Sequence, residues 1–289
     1  MVLPNNGTHF SSIRPIILSI HPTMQCDYNC TGCYLKKDIK DAVEKECDFF
    51  SQLVRVSKKV GIKEIAVSMN YTDSDKTEDK NWNYYNLFEK ICLEENLKFS
   101  ITGNYEFFEK YWNDIKLKNV NLISISINDF VTSNEKKIEK ALEIIKNIKK
   151  EGIPTVNCNV LLSKKIVDYL LDGLANKILD ISDSIYLMTS KPLTIDLKDV
   201  GVWYSKLSDK LEIDSKRILI DTCIKYAFGL TDRTCDKHKM IYVNPYGEIK
   251  RCSFDTYTLK ILENAEQFEE IYEEMFPLSF EKKCSLMGM

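Results

Sequence analysis

Six short runs rich in β-branched and other apolar residues recur between Pro15 and Met188. They read PIILSI, EIAVSMN, KFSIT, LISISIN, TVNCNVL and SIYLM. Between them lie stretches whose apolar residues recur at helical spacing. Alternation of strands with helices is typical of βα units, so the pattern predicts an α/β fold with a parallel sheet or barrel.

Two of the helical stretches carry further signals. Thr132 and Glu135 match a capping box, and apolar residues follow at helical spacing until Gly152. In the other stretch, helical spacing begins at Val43 and includes Cys47. We therefore predict one helix that begins near residue 132 and another that begins near residue 43.

The predicted strands carry a second pattern, because one alternating face of each is small or polar toward its C-terminal end. The residues of this face are Ser19 and His21, then Ala66, Ser68 and Asn70, then Ser100, Thr102 and Asn104, then Ser124, Ser126 and Asn128, then Asn157 and Asn159. The opposite face is apolar, as expected where helices pack. Serine and asparagine also mark strand ends and turns, but five strands in succession favour a polar ligand cavity.

The composition fits a large core with a smaller C-terminal part. The chain has 289 residues, of which 44% are hydrophobic and 29% charged, and we expect a barrel over residues 1–215 and an extension over 216–289. No apolar run approaches the roughly 18 residues of a spanning helix, and the N-terminal residues do not resemble a signal peptide. We therefore expect a cytoplasmic protein without a membrane partner. The net charge of -3 offers no basic field for nucleic acid.

Three of the ten cysteines lie close together directly after the first predicted strand. The stretch CDYNCTGCY contains Cys26, Cys30 and Cys33, and soft thiolates of this kind bind zinc, copper(I) or iron–sulfur clusters. A structural zinc site would need a fourth ligand, such as His21 or a distant cysteine. In a four-iron cluster, three protein thiolates would leave one iron open to another molecule.

This stretch resembles the cluster motif of radical S-adenosylmethionine (radical SAM) enzymes, where the motif also follows the first strand of an α/β partial barrel. The resemblance implies a six-stranded partial (β/α) TIM-like barrel. It also implies that Cys26, Cys30 and Cys33 hold a [4Fe-4S] cluster whose open iron binds SAM. In such enzymes one electron cleaves SAM to a 5'-deoxyadenosyl radical, which abstracts a hydrogen atom from the substrate.

Other segments extend the resemblance and also depart from it. ISISINDF is similar to the fourth-strand segment of peptide-modifying radical SAM enzymes, and ITGN loosely resembles a third-strand segment. In this family the second strand usually ends in Gly-Gly-Glu, but here the matching stretch is VSMNYTD. Within it, Ser68 and Asn70 are neutral hydrogen-bond acceptors. With the polar strand face, the resemblance implies cofactor contacts at Gly32, Tyr34, Ser68, Asn70, Thr102, Ser126, Asn128 and Asn159.

The C-terminal part contains a predicted β-hairpin, in which MIYV and EIK are joined by the turn NPYG. This cysteine-rich unit resembles the SPASM and twitch extensions of radical SAM enzymes, which hold auxiliary iron–sulfur clusters. The resemblance implies one auxiliary [4Fe-4S] cluster, and a closed four-thiolate zinc site is the alternative. The ligands would be Cys223, Cys235, Cys252 and Cys284. We predict that the remaining cysteines, Cys47, Cys92 and Cys158, serve packing.

The resemblance favours an oxidoreductase-type enzyme that modifies a peptide or protein, with a flavodoxin or ferredoxin as the reductant. Dehydrogenation or rearrangement of a small metabolite is the alternative within the same family. Outside it, the cysteines would also suit an iron–sulfur electron carrier or a zinc-stabilised binding protein. Release of 5'-deoxyadenosine from SAM distinguishes the enzyme from both of these non-enzymatic alternatives.

Overall fold

A computed structural model describes residues 15–28, 43–116, 120–189, 197–213, 217–221, 225, 240–250, 252–253 and 258–275. The strands are β1 (Ile17–Ile20), β2 (Glu64–Met69), β3 (Lys98–Gly103), β4 (Val120–Ile127), β5 (Thr155–Leu161), β6 (Ser184–Met188), β7 (Ile218–Ile220), β8 (Met240–Val243), β9 (Glu248–Lys250) and β10 (Lys260–Ile261). The helices are α1 (Cys47–Lys59), α2 (Lys80–Glu94), α3 (Tyr105–Tyr111), α4 (Glu135–Lys150), α5 (Lys164–Tyr169), α6 (Ala175–Leu179), α7 (Leu197–Ser208) and α8 (Gln267–Met275).

The strands form one sheet in the order β10-β9-β8-β1-β2-β3-β4-β5-β6-β7. Every neighbouring pair from β8 through β1 to β7 is parallel, and only β8–β9 and β9–β10 are antiparallel. The predicted α/β fold with a parallel-rich sheet is therefore confirmed. Each of the six predicted runs overlaps one of the strands β1 to β6, and β7 on one side and β8 to β10 on the other extend the sheet beyond them.

Apolar side chains on one face of the sheet form the core with the helices. Ile20, Val67, Ile125, Val156 and Leu187 are almost fully buried and belong to one cluster with apolar residues of α1, α2 and α4. Burial of such side chains contributes about 1.5 to 3 kcal/mol each. The helices thus cover this face and leave the opposite face available for a site.

The N-terminal ends of α1 and α4 differ from the sequence predictions. Helix α4 begins at Glu135, and its cap is Asn134, whose Oδ1 accepts the Lys136 N–H at 2.8 Å. Thr132 instead lies in a short 3-10 turn, Val131–Ser133, and its hydroxyl donates to the Asn128 carbonyl. The capping-box assignment was therefore wrong, because an asparagine one residue before the helix supplies the cap.

The prediction for Cys47 was also wrong. Helix α1 begins only at Cys47, so the side chain projects from the first turn and is exposed, while Val43 precedes the helix and is 87% exposed. Cys92 and Cys158 are fully buried, as predicted. Burial raises the pKa of the Cys158 thiol to about 12, which keeps it in the neutral form that suits packing.

The segment after residue 239 joins the main sheet through β8, which pairs in parallel with β1. The turn between β8 and β9 is held by Asn244, whose Oδ1 accepts the N–H groups of Tyr246 and Glu248 at 3.0 and 2.9 Å. Gly247 completes the turn with a φ of 80°, which a residue without Cβ adopts at little cost. The division of the chain at residue 215 stays a prediction.

Candidate active site

Polar side chains form rows across the face of the sheet that the helices do not cover. The pairing places Ser68 beside Thr102, Thr102 beside Ser124, Ser124 beside Asn157 and Asn157 beside Ser184. One step nearer the carboxyl ends, Ser126 lies beside Asn159. We call this set the polar face: Ser68, Thr102, Ser124, Ser126, Asn157, Asn159 and Ser184.

The polar face combines fixed and accessible groups. Ser184 donates its hydroxyl hydrogen to Asn157 Oδ1 at 2.7 Å, so part of the row is already satisfied internally. Four predicted contact residues, Ser68, Thr102, Ser126 and Asn159, are partly exposed. Their hydroxyl and amide groups can both donate and accept hydrogen bonds, which suits a neutral polar ligand such as a ribose.

The loop that follows β1 is described as far as Tyr28, and it contains Cys26 with a partly exposed side chain. Both neighbours of Cys26 bond to the segment between β2 and α2. The Asp27 N–H donates to the Tyr71 carbonyl at 3.1 Å, and the Asp73 N–H donates to Asp27 Oδ2 at 2.6 Å. Cys26 is thereby held at the carboxyl end of β2.

Residue 25, on the other side of Cys26, makes one bond to the same segment and two to the first turn of α2. The Gln25 carbonyl accepts from Asn81 Nδ2 at 3.0 Å, and Gln25 Oε1 accepts the Lys80 N–H at 2.7 Å. Gln25 Nε2 donates to the Ser74 hydroxyl at 3.3 Å. The segment after β2 and the first turn of α2 together therefore hold the start of the cysteine loop.

A buried carboxylate fixes this β2–α2 segment. Asp79 caps α2 by accepting the N–H groups of Asn81 and Trp82, and it also accepts from the Tyr111 hydroxyl at 2.6 Å and from Lys110 Nζ at 3.1 Å. Burial alone would raise the pKa of Asp79, but the bonds from Tyr111 and Lys110 outweigh it and lower the pKa. Asp79 is therefore ionised at neutral pH and complements the helix N-terminus.

His21 lies directly after β1 and is buried. Its backbone N–H donates to the Val243 carbonyl of β8 at 3.0 Å, and its ring atom Nε2 lies 3.0 Å from Asn70 Nδ2. Burial lowers the pKa of His21 to about 4, although a backbone hydrogen bond with Thr23 and the nearby Glu44 act in the opposite direction. The imidazole is therefore neutral at pH 7, and Nε2 can accept from Asn70.

Two predicted contact residues are engaged in local structure. Asn70 donates through Nδ2 toward His21 and the Thr23 carbonyl, and its own N–H donates to Asn81 Oδ1 at 2.8 Å. Asn128 Oδ1 accepts the N–H groups of Phe130 and Val131, which closes a turn after β4. Both side chains therefore stabilise the loops at the mouth of the site.

An aromatic group joins the cysteine loop to two other loops. The ring of Tyr28 lies 4.2 Å from that of Phe130 after β4 and 5.7 Å from that of Tyr71 after β2, measured between centroids. Lys137 Nζ lies over the Phe130 ring. Ring pairs of this kind contribute about 0.5 to 1.5 kcal/mol beyond their buried area, so the loops at the carboxyl ends of β1, β2 and β4 pack together.

Several predicted site residues lie outside the described residues: Gly32, Tyr34, Cys30, Cys33, Cys223, Cys235 and Cys284. Cys252 is described and is buried after β9. Among the described residues, no three histidine, cysteine, aspartate or glutamate side chains form a metal site. The donors of the motif nonetheless fit an iron–sulfur cluster in kind, since they are three soft thiols and the first is partly exposed in a fixed loop.

Sequence reasoning missed the residues that hold the cysteine loop, namely Gln25, Asp79 and Asn81. Asp79 carried a recognisable signal, because an aspartate directly before an amphipathic run predicts a helix cap. Gln25 and Asn81 carried none, since the bonds of Gln25 to Ser74, Lys80 and Asn81 join residues 49 to 56 positions apart.

No helix in the part of the chain that the structure describes has both the length and the apolar character needed to cross a membrane. The fold and the site together define an α/β protein with a parallel-rich sheet, a polar face, and a cysteine loop at the carboxyl end of the first strand. A family model of the radical SAM superfamily matches residues 20–168, slightly more than half of the chain. The chain belongs to the radical SAM superfamily.

Solved structures with the same fold include SuiB from Streptococcus suis. SuiB bound to S-adenosylmethionine has a TM-score of 0.67 and 17% identity, and the match covers 95% of this chain and 72% of SuiB. SuiB bound to its precursor peptide SuiA has a TM-score of 0.69 and 15% identity, with 95% and 70% covered.

A second similar structure is anSMEcpe with bound AdoMet and the Cp18Cys peptide. The TM-score is 0.54 at 14% identity, and the match covers 93% of this chain and 84% of anSMEcpe. At these identities the similarity establishes the fold alone. No curated protein matched the sequence.

Proposed function

We propose that this protein is a radical SAM enzyme that removes a hydrogen atom from a peptide or protein and so modifies it oxidatively. Cys26, Cys30 and Cys33 would hold a [4Fe-4S] cluster. When bound, the cluster and SAM would supply the electron transfer and the hydrogen-abstracting group. The observation that carries the proposal is the three-cysteine motif directly after β1, within a chain of this superfamily.

The protein's own residues would bind and orient SAM. Ser68, Thr102, Ser126 and Asn159 offer hydroxyl and amide groups on the polar face, and these suit the hydroxyl groups of a ribose. Asn70 and Asn128 would contribute from the loops, with Gly32 and Tyr34 beside the third cysteine. The neutral His21 adds no positive charge that would repel the sulfonium or the ammonium group.

A peptide substrate is supported by the structural neighbours. SuiB was solved with the precursor peptide SuiA, and anSMEcpe with the Cp18Cys peptide. We infer that the carboxyl-end mouth of this sheet, above the polar face, accepts a peptide in a comparable way. The electron would come from a flavodoxin- or ferredoxin-type protein in the cytoplasm, where thiols stay reduced.

The proposal includes one auxiliary [4Fe-4S] cluster in a twitch-like extension over residues 216–289. Its ligands would be Cys223, Cys235, Cys252 and Cys284. Cys252 supports this assignment by its place, since it follows β9 and is buried beside the sheet that carries β1. The auxiliary cluster would bind the substrate or accept the electron that remains after hydrogen removal.

The decisive experiment measures 5'-deoxyadenosine. Anaerobically reconstituted protein with dithionite and SAM should release 5'-deoxyadenosine, and Cys26→Ala should abolish the release because a thiolate ligand is lost. Cys47→Ala is the matched control, since Cys47 is an exposed cysteine on α1 outside the motif. No release from the wild type, or undiminished release from Cys26→Ala, would contradict the proposal.

The auxiliary cluster has its own measurement. Reconstituted wild-type protein should contain about eight irons per chain, and replacement of Cys235 and Cys252 by Ala should leave about four. Cys92→Ala is the control for loss of a buried thiol, because Cys92 packs in the core. Unchanged iron in the Cys235/Cys252 variant would refute the auxiliary cluster but would leave the radical SAM site intact.

A further inference from the structure

We propose that Asn81 is a positioning residue that fixes the cluster-binding loop against the end of β2. This inference rests on the proposed function in one respect, the role of Cys26 as a cluster ligand. Asn81 itself is the second residue of α2, and its side-chain amide bonds to backbone atoms of Asn70 and Gln25. It acts through the backbone on either side of the site.

The two polar atoms of the Asn81 amide join two separate parts of the chain. Oδ1 accepts the backbone N–H of Asn70 at 2.8 Å, and Nδ2 donates to the backbone carbonyl of Gln25 at 3.0 Å. Asn70 follows β2 directly, and Gln25 precedes Cys26. One side chain therefore links the end of the second strand to the residue next to the first cysteine.

The environment of Asn81 makes these bonds strong. The residue is fully buried, so water does not compete for either amide atom. A buried donor or acceptor that loses its partner costs more free energy than the bond itself contributes. The amide presents a donor and an acceptor on two separate atoms, so neither aspartate nor leucine can replace both bonds.

The helix end that carries Asn81 is fixed independently of the loop. Asp79 caps α2 and accepts from Lys110 Nζ and the Tyr111 hydroxyl of α3. Lys110 Nζ also donates to the carbonyls of Thr72 and Ser74 at 2.7 Å each. Because α3 anchors the segment, Asn81 presents its amide from a rigid support.

Further bonds restrict the loop on both sides of Cys26. Gln25 bonds through its side chain to the Lys80 N–H and the Ser74 hydroxyl, and Asp27 bonds to Tyr71 and Asp73. Asn81 supplies the buried contact within this set. We infer that the first thiol has its place before any metal binds, which lowers the entropy cost of assembling the site.

The test compares Asn81→Asp with Asn83→Asp. Aspartate at position 81 can still accept the Asn70 N–H, but it has lost the donor to the Gln25 carbonyl. Asn83 is an exposed asparagine on the same helix, and its amide donates to the Thr77 carbonyl at 3.4 Å. The two variants therefore add the same charge to α2, and only one breaks the link to the loop.

The first readout is hydrogen exchange of the metal-free, full-length protein, followed in a peptide that covers residues 24–28. The amides there, including the Asp27 N–H, should exchange about tenfold faster in Asn81→Asp. Exchange in Asn83→Asp should match the wild type. Unchanged exchange in Asn81→Asp would overturn the inference.

The second readout uses the reconstituted protein. Asn81→Asp should retain its iron, change the electron paramagnetic resonance spectrum of the reduced cluster in the presence of SAM, and release 5'-deoxyadenosine about tenfold more slowly. A wild-type spectrum and rate would contradict a positioning role. If wild-type protein does not cleave SAM at all, the proposed function fails, while the exchange experiment still decides the role of Asn81.

A second variant covers the case in which Asn81→Asp unfolds as a whole. Asn81→Ser adds no charge, and its single short hydroxyl cannot reach both the Asn70 N–H and the Gln25 carbonyl. It should also speed exchange at residues 26–28 while the rest of the protein exchanges as in the wild type. Wild-type exchange at those residues would overturn the inference.

Discussion

His21 should make the stability of this protein depend on pH between about 4 and 6.5. Burial lowers the pKa of its imidazole from the ordinary 6.5 to about 4 in the folded protein. In that interval the unfolded chain binds a proton at this position and the folded chain does not. Because the unfolded state binds more protons, the free energy of unfolding falls as the pH falls toward 4.

The size of the effect follows from the difference between the two pKa values. The shift from 6.5 to about 4 corresponds to about 3 kcal/mol at about 1.4 kcal/mol per unit. Most of this stability is lost once the pH reaches about 4.5, and the loss is complete below the folded pKa. A neutral side chain in its place binds no proton in either state and contributes no such loss.

The assay is urea denaturation of metal-free wild-type protein and His21→Gln over the same pH series. The variant should be less stable than the wild type near neutral pH, since it loses the hydrogen bond between Asn70 and the imidazole. Between about pH 7 and about pH 4.5, the stability difference between the two proteins should shrink by about 2 to 3 kcal/mol. Parallel pH curves for the two proteins would refute a buried neutral imidazole.

Two further substitutions test the support of the site. Asp79→Ala should lower the free energy of unfolding by about 3 kcal/mol, because it removes a helix cap and leaves a buried tyrosine hydroxyl without its acceptor. Asp75 is an exposed neighbour, and Asp75→Ala should change the free energy of unfolding by less than about 0.5 kcal/mol in urea denaturation. Equal effects of the two substitutions would count against the Asp79 network. Gly247→Ala should cost at least about 2 kcal/mol in thermal denaturation and Gly152→Ala only about 1. Both have a positive φ, but only at Gly247 would a Cβ meet a backbone oxygen at 3.0 Å, and equal costs would contradict this reasoning.

The strands could be predicted because their signal is local. Each of β1 to β5 alternates apolar residues with small or polar ones over a few positions, and the pairing of the strands then places Ser68 beside Thr102 and Ser126 beside Asn159. The polar face follows from this alternation once the strands are parallel. A period of two residues needs no information from distant parts of the chain.

The parts that could not be predicted depend on distant contacts. The hairpin of β8 and β9 is visible in the sequence, but its parallel pairing with β1 joins residues more than 200 positions apart. That pairing brings the Val243 carbonyl to the backbone N–H of His21. The start of α1 was missed for a different reason, since helical spacing alone does not exclude Val43 from the helix.

The segment after β2 connects these observations to the proposed chemistry. Radical SAM enzymes usually hold the SAM amino group there through Gly-Gly-Glu, and here Asn70 stands at the end of the strand. Its Nδ2 is committed to His21 Nε2 and the Thr23 carbonyl, so in the proposed function Oδ1 would be the atom that accepts from the ammonium group of SAM. This assignment needs a neutral His21, because a protonated imidazole would donate from Nε2 and would attract Oδ1 instead. The low pKa of His21 thus favours the orientation in which the acceptor of Asn70 points away from the histidine, and in the proposed function protonation of His21 as the pH falls toward 4 would turn that acceptor away from SAM.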